Sequence, residues 1–313
     1  MRSQTDNLGS KPQPRGVFHR SKKFWIILSV ILIAIAIGLG VGLGVGLTQG
    51  SDSDSDSNPP STTLVPTPNT TETYWQPKAG ETWQIVLLNA LKNTSLNVSV
   101  YDIDLFDNPT STIDTLHAQN KKVICYFSAG SYEPNRPDSS QFTATDKGSE
   151  LDGWPGEYWL QTDSSNVRQI MTSRLQLAKS KGCDGVDPDN VDGYDNENGL
   201  GLTTYSSVDY LGFLADNAHS LNLSIGLKNG GAIVDSVIQV MQWEVNEQCA
   251  QYNECPLFES FIEANKPVFQ IEYPSGAPNV DASAKRSSCG NSSEQDFSTI
   301  LKNMDLDEWL EEC

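Results

Sequence analysis

The chain has 313 residues, 37% of them hydrophobic, and a formal net charge of −19. This is enough for one large domain or two small ones. The charge is uneven: residues 1–23 hold six bases against the single acid Asp6, residues 48–72 hold four acids and no base, and residues 73–313 keep 15 bases and 35 acids, close to −20. A domain so acidic repels phosphate and excludes nucleic acid as a partner, while it attracts polycations.

Taken in chain order, residues 1–23 read as a basic cytoplasmic tail. Residues 24–47, FWIILSVILIAIAIGLGVGLGVGL, carry no charge. At ~1.5 Å per residue they would span a ~30 Å hydrocarbon core as one transmembrane helix. Arg20, Lys22 and Lys23 precede the run and acids follow it, which sets a type II orientation with the amino terminus in the cytoplasm and the remainder outside. A cleaved signal peptide is the rival reading, but its apolar core is usually only ~7–15 residues. Glycines 38, 42 and 46 have the spacing of a helix-pairing motif, with incidental glycine as the alternative. Residues 48–72 are rich in Ser, Thr, Pro and Asp and read as a disordered stalk. The folded domain is then 73–313, a common size for one barrel and with no oligomer signal of its own, so a monomer is expected.

Within that domain short apolar runs alternate with helical patterns. Strands are expected at 83–88, 98–106, 122–130, 184–189, 223–229, 242–247, 267–273 and, weakly, 297–303. Helices are expected at 167–182, closed by Gly182, and at 208–222, 232–241 and 256–265. The stretch 131–166 shows no clear strand and reads as a loop over one face. Strand–helix alternation implies parallel strands joined by crossovers, and eight units imply an α/β fold of the TIM barrel, (β/α)8, type. A doubly wound open sheet is the alternative, but no G-x-G-x-x-G opens the first unit. All six cysteines follow the apolar run, and their even number suggests disulfides in an oxidising compartment. The expected pairs are Cys249–Cys255, Cys289–Cys313 and Cys125–Cys183. Sequons at Asn69, Asn93, Asn97, Asn222 and Asn291 agree with that location. No C-x-x-C occurs and only three histidines exist, so no zinc site and no cofactor are expected.

The densest chemistry is GCDGVDPDNVDGY, 182–194, with four aspartates in thirteen residues. In a barrel the chemistry sits at the carboxyl ends of the strands. Asp104 ends the second, Asp187 and Asp189 the fourth, Glu244 and Glu247 the sixth, and Glu272 the seventh; Ser128 and Lys228 end the third and fifth. Paired carboxylates across a sugar linkage are the requirement of glycoside hydrolysis. Tyr126, Tyr132, Trp154, Trp243 and Tyr273 could stack on sugar faces, with core packing as the alternative, strongest for Trp243. DGVDPDNV matches the D-G-x-D-x-D-x-E of family 18 chitinases except that Val191 stands where the essential glutamate belongs. A calcium loop lacks its closing glutamate.

The segments YDIDLFD, ICYFSAGSYE, GCDGVDPDNVDGY, LSIGLKN and FQIEY, in this order, resemble glycoside hydrolase family 114 over roughly 74–313. The resemblance implies a TIM-barrel endo-α-1,4-polygalactosaminidase. With the anchor and stalk, the chain is similar to membrane-anchored fungal members that cut galactosaminogalactan, a biofilm and cell-wall polymer. Partly deacetylated galactosamine is cationic and suits an acidic cleft. The resemblance also implies a nucleophile ending the fourth strand and an acid/base ending the sixth, placed here on Asp189 and Glu247. Asp187 stands as the alternative to Asp189, because alternation puts both on one face, and Glu244 as the alternative to Glu247. Asp187, Glu244, Glu272, Asp104, Tyr126, Ser128, Lys228 and Tyr273 are the expected substrate contacts. A cell-surface binder without turnover and an exo-acting α-galactosidase-like enzyme are the competing functions.

Overall fold

The structure, a computed structural model, describes residues 73–290 and 296–313. The expected tail 1–23, transmembrane run 24–47, stalk 48–72 and the sequons Asn69 and Asn291 lie outside the described residues. Among the described residues no helix is long and apolar enough to cross a membrane.

Twelve strands are described: β1 Trp83–Val86, β2 Val100–Asp104, β3 Lys122–Ser128, β4 Ser131–Tyr132, β5 Lys147–Glu150, β6 Tyr158–Leu160, β7 Gly185–Asp189, β8 Ser224–Lys228, β9 Trp243–Glu247, β10 Val268–Glu272, β11 Ser298–Leu301 and β12 Glu311–Glu312. The helices are α1 Thr110–His117, α2 Ser165–Lys181, α3 Thr204–Ser220, α4 Val234–Val237, α5 Cys249–Tyr252, α6 Glu259–Glu263 and α7 Ala282–Cys289. All eight expected strands are present. They form a parallel ladder in the order β1-β2-β3-β7-β8-β9-β10-β11, with β12 antiparallel on the free edge of β11.

That edge corrects the closed eight-stranded barrel. β12 takes the side of β11 that β1 would need, pairing Ile300 with Glu312 and Leu301 with Glu311. Leu87 N–H instead donates to Leu306 O at 3.0 Å, and the Trp83 indole donates to Ser298 O at 2.7 Å. The result is a curled sheet without a β1–β11 ladder. The stretch 131–166 is also corrected: it contains a three-stranded antiparallel sheet of order β4-β6-β5. Strands of two to four residues are too short to show a period, and only their mutual pairing makes them strands.

The curl sorts side chains by the two-residue period. Trp83, Ile85, Val100, Ile124, Trp243, Val245, Phe269, Ile271 and Ile300 make one buried cluster on the inner face. The outer face packs on the helices, through Ile170, Met171 and Leu175 of α2 and Leu211, Leu214 and Ala218 of α3. The Ser164 side chain caps α2 and Gly182, at φ 92°, ends it. The expected helices 232–241 and 256–265 are shorter, with only α4 and α6 as α-helix, each preceded by a 3₁₀ turn. The three disulfides are Cys125–Cys183, Cys249–Cys255 and Cys289–Cys313, as expected.

Trp243 fills the inner face because β7 and β8 present glycines to it. A Cβ on Gly226 would lie 2.0 Å from Trp243 Nε1, and one on Gly185 would lie 2.5 Å from its Cη2. Trp243 is therefore core and not a sugar platform. Gly226→Ala is expected to destabilise the domain by about 3 kcal/mol through overpacking. Thermal unfolding should then fall by roughly 6–10 °C.

Candidate active site

The β7–β8 ladder stops at Val186 and Ile225. Above it the ends of β7, β8 and β9 present Asp189, Lys228 and Glu247, each on the face that carries Gly185, Gly226 or Trp243. The Lys228 ammonium touches both acids, 3.2 Å from Asp189 Oδ1 and 2.5 Å from Glu247 Oε2. The lysine side chain is only 4% exposed, against 17% for Asp189 and 27% for Glu247, so the carboxylates meet solvent and the ammonium lies beneath them. The Tyr126 hydroxyl donates to Asp189 Oδ2 at 2.7 Å. The Tyr273 hydroxyl donates to Glu247 Oε1. Each acid thus has one phenol and a share of one ammonium.

The backbone around these groups is tightly constrained. Asn190, Asn229 and Gln248, the residues directly after Asp189, Lys228 and Glu247, have φ of 60°, 53° and 65°. Such turns are uncommon outside glycine and concentrate at sites where a side chain must be aimed. The N–H groups of Ala129 and Gly130 hold Asp189 O at 2.8 and 3.0 Å, and Asn229 Oδ1 accepts the Glu247 N–H at 3.0 Å.

Electrostatics divide the acids into two kinds. Burial pushes the Asp189 carboxyl up, but Lys228, the Tyr126 hydroxyl and the Asn190 N–H together outweigh it and hold the group below the usual range. Burial lowers Lys228, yet Asp189, Glu247 and Asp187 raise it well above normal, so it stays charged. Asp187 is different. It is fully buried, and burial lifts it to about 7 although Lys228 opposes the rise. Asp102, on β2, is buried as deeply, and burial followed by Asp187 pushes it well above the carboxylate range. Asp192 is lifted to about 6, first by burial and then by Asp189.

The other expected contacts are placed as follows. Glu244 alternates onto the face opposite Trp243 and Glu247, is fully buried, and lacks a well-formed hydrogen bond to either oxygen. Burial and then Asp187 raise it well above normal, against Lys228 and the Asn229 N–H. Glu272 is buried and accepts from Ala250 N–H and Gln270 Nε2, both at 2.8 Å, so it anchors α5 to β10. The period-two rule takes both glutamates out of the set. Asp104 accepts the Phe106 and Asp107 N–H groups and pairs with Arg136 at 2.7 Å. Ser128 bonds Ser131 and Asn190, supporting the turn after β7. The Tyr132 ring is covered by Lys147 at 3.2 Å, whereas Trp154 is 62% exposed. Asp184, at the far end of β7, accepts from Lys122 at 2.6 Å and the Val123 N–H at 2.9 Å, and lies 2.8 Å from His117 Nε2.

Asp102 was not among the expected residues. It stands two before Asp104 in YDIDLFD, so alternation alone places it on the same face. Arg136 gave no signal in the sequence, since its partners Asp104 and Glu133 meet it only through the fold.

Residues 65–313 match the glycoside-hydrolase family GH114. No curated protein matches the chain. The fold is similar to a crystal structure of Aspergillus fumigatus Ega3 in complex with galactosamine, with 56% sequence identity and a TM-score of 0.76, covering 79% of this chain and all of that one. It is also similar to the glycoside hydrolase domain of PelA from Pseudomonas aeruginosa, with 11% identity and a TM-score of 0.59 over 73% of this chain and 98% of that one, a likeness of fold alone.

Proposed function

The chain belongs to glycoside-hydrolase family GH114, and from that premise we propose that it is an endo-acting hydrolase of α-1,4-linked galactosamine, with partly deacetylated galactosaminogalactan as substrate and retention of configuration. The observation that carries the reading is the single ammonium in contact with both Asp189 and Glu247. Its two contacts bound the nearest carboxylate oxygens to less than the sum of 3.2 and 2.5 Å. Retaining enzymes need carboxyls ~5–5.5 Å apart, whereas inversion needs ~6.5–9.5 Å to admit a water. The relative of 56% identity is a galactosamine complex, which supports the sugar.

In this mechanism Asp189 is the nucleophile. Its carboxylate is kept ionised by Lys228 and Tyr126 and attacks the anomeric carbon. Glu247, oriented by Tyr273, gives a proton to the departing glycosidic oxygen. A glycosyl ester forms on Asp189. Glu247 then takes a proton from water, which releases the sugar with its α configuration kept. The net charge near −20 for 73–313 draws in a polycationic chain. For location, the uncharged run 24–47 behind Arg20, Lys22 and Lys23 supports a type II plasma-membrane anchor, and the three disulfides suit an extracellular domain.

The test is incubation of the full chain with partly deacetylated and fully N-acetylated α-1,4-galactosamine polymers. Oligosaccharides of several units should appear from the first polymer. Tight binding without shortening would make the protein a binding module, and release of single sugars only would make it exo-acting.

A further inference from the structure

The residue after the proposed nucleophile is anchored on two sides. Asn190 has φ 60°, in the left-handed region. That turn brings its own N–H back onto Asp189 Oδ1 at 2.7 Å. Its side-chain amide reaches the other way and donates to Ser128 Oγ at 2.9 Å and to Ser131 Oγ at 3.2 Å. Both serines are buried, and their hydroxyls lie 2.6 Å apart. Ser128 ends β3, and its carbonyl accepts from the buried Arg174 of α2 at 2.7 Å. Ser131 opens β4 and pairs with Trp159 of β6.

Packing closes the same turn. A Cβ on Gly130 would lie 1.7 Å from Asn190 O, so the peptide after Asn190 presses on bare backbone. The Gly130 N–H holds Asp189 O at 3.0 Å, and the Leu160 N–H of β6 holds Gly130 O at 2.8 Å. Two demands therefore meet at position 190. A positive φ favours glycine or asparagine. Bridging two hydroxyls calls for a side chain with two donor protons, which the asparagine amide has and glycine lacks. The result bears on Asp189 directly. Its Oδ1 takes the Asn190 N–H and the Lys228 ammonium, and its Oδ2 takes the Tyr126 hydroxyl. Of these three donors, the N–H alone belongs to the backbone.

We propose that Asn190 is a positioning residue for Asp189: its amide ties the turn to Ser128 and Ser131, and the tied turn fixes the N–H that aims the carboxylate. The aim of the nucleophile is thereby set from β3 and from the β4-β6-β5 sheet, independently of the Lys228 bridge.

Asn190→Gly separates this role from a merely structural one. Glycine adopts the positive φ without strain and keeps the N–H, so the domain should stay folded. It removes only the amide anchor. If asparagine served solely to permit the turn, glycine would serve as well, and neither rate nor titration would change; that result would overturn the proposal.

The kinetic arm rests on the hydrolase reading. For the full chain on the deacetylated polymer, kcat of Asn190→Gly should fall by about 10- to 100-fold with KM little changed, because the carboxylate remains in the site but meets the anomeric carbon off line. Ser128→Ala should show part of that loss. The two changes together should cost less than the product of their separate effects, since glycine has already removed the bond to Ser128. Fully independent effects would overturn the proposed route through Ser128.

The titration arm needs no turnover. The Asp189 carboxyl resonance of the full chain, made with isotope-labelled aspartate and identified by its loss in Asp189→Asn, is followed against pH. The Asn190 N–H is one of the groups that hold this carboxyl below the usual range. Loosening it should raise the midpoint by about half a pH unit or more in Asn190→Gly, and by less in Ser128→Ala. The charged and titratable neighbours are the same in all these proteins. They are Asp102 of β2, Tyr126 of β3, Asp187 of β7, Lys228 of β8 and Glu247 of β9, with Glu157, Asp192 and Tyr273 from the loops. A midpoint that stays in its wild-type position would overturn the proposal. Should the wild type cleave no polymer, the hydrolase reading fails while the midpoint still decides this inference.

Discussion

Asp189→Asn is expected to reduce kcat on the deacetylated polymer by roughly 10⁴-fold or more while the domain stays folded. The amide is isosteric with the carboxylate and can still meet the Tyr126 hydroxyl, but it cannot form the glycosyl ester. Glu247→Gln should cost nearly as much on the polymer, because a sugar alkoxide leaves only with a proton. The two variants part on a substrate whose leaving group is already acidic. There the first step needs no proton donor, so Glu247→Gln should regain a large part of its rate and accumulate the glycosyl ester, whereas Asp189→Asn should regain none. Initial rates on both substrates and mass spectrometry of the trapped protein check this. Rescue of the Asp189 variant in place of the Glu247 variant would exchange the two roles.

The sequence was most legible where a local pattern and the fold obey the same rule. Strands such as KVICYFS and SIGLK are apolar runs between turn signals and appear as β3 and β8. The close spacing of Cys249 and Cys255 could only close a small loop, and it does. Legibility failed where the rule was applied at the wrong grain. Collecting acids by strand end puts Glu244 and Glu272 at the site, while alternation from Trp243 and Phe269 turns both to the outer face. The same alternation, run back along β2 from Asp104, would have found Asp102. The remaining misses are nonlocal. Nothing in Glu311 and Glu312 announces that they will occupy the edge of β11 and leave the curled sheet without a β1–β11 ladder. Nor does Arg136 announce that it will meet Asp104, 32 positions earlier in the chain.

Lys228→Met should cost roughly 10²–10³-fold in kcat/KM, less than loss of the nucleophile and through a different variable. The lysine makes no bond to the reacting carbon in the proposed mechanism. Its effect is on the charge and aim of its neighbours. In the native site burial is the largest influence on Asp189 and acts to raise its pKa; Lys228 is the largest influence against it. With methionine at 228 the ammonium is gone while the burial remains. The Asp189 carboxyl should then rise through the usual carboxylate range, and the acid limb of kcat/KM should move to higher pH. Stability has the same sign for this group. A depressed folded pKa stabilises above the unfolded value and is lost as pH falls, so the variant should forfeit stability mainly near neutral pH. Lys228→Arg keeps the charge and offers two donors where one ammonium bridged two acids. It should restore the position of the limb but only part of the rate. A Lys228→Met protein with its acid limb in the wild-type position would show that Asp189 owes its ionisation to Tyr126 and the Asn190 N–H instead, and the bridging ammonium would lose its place in the mechanism.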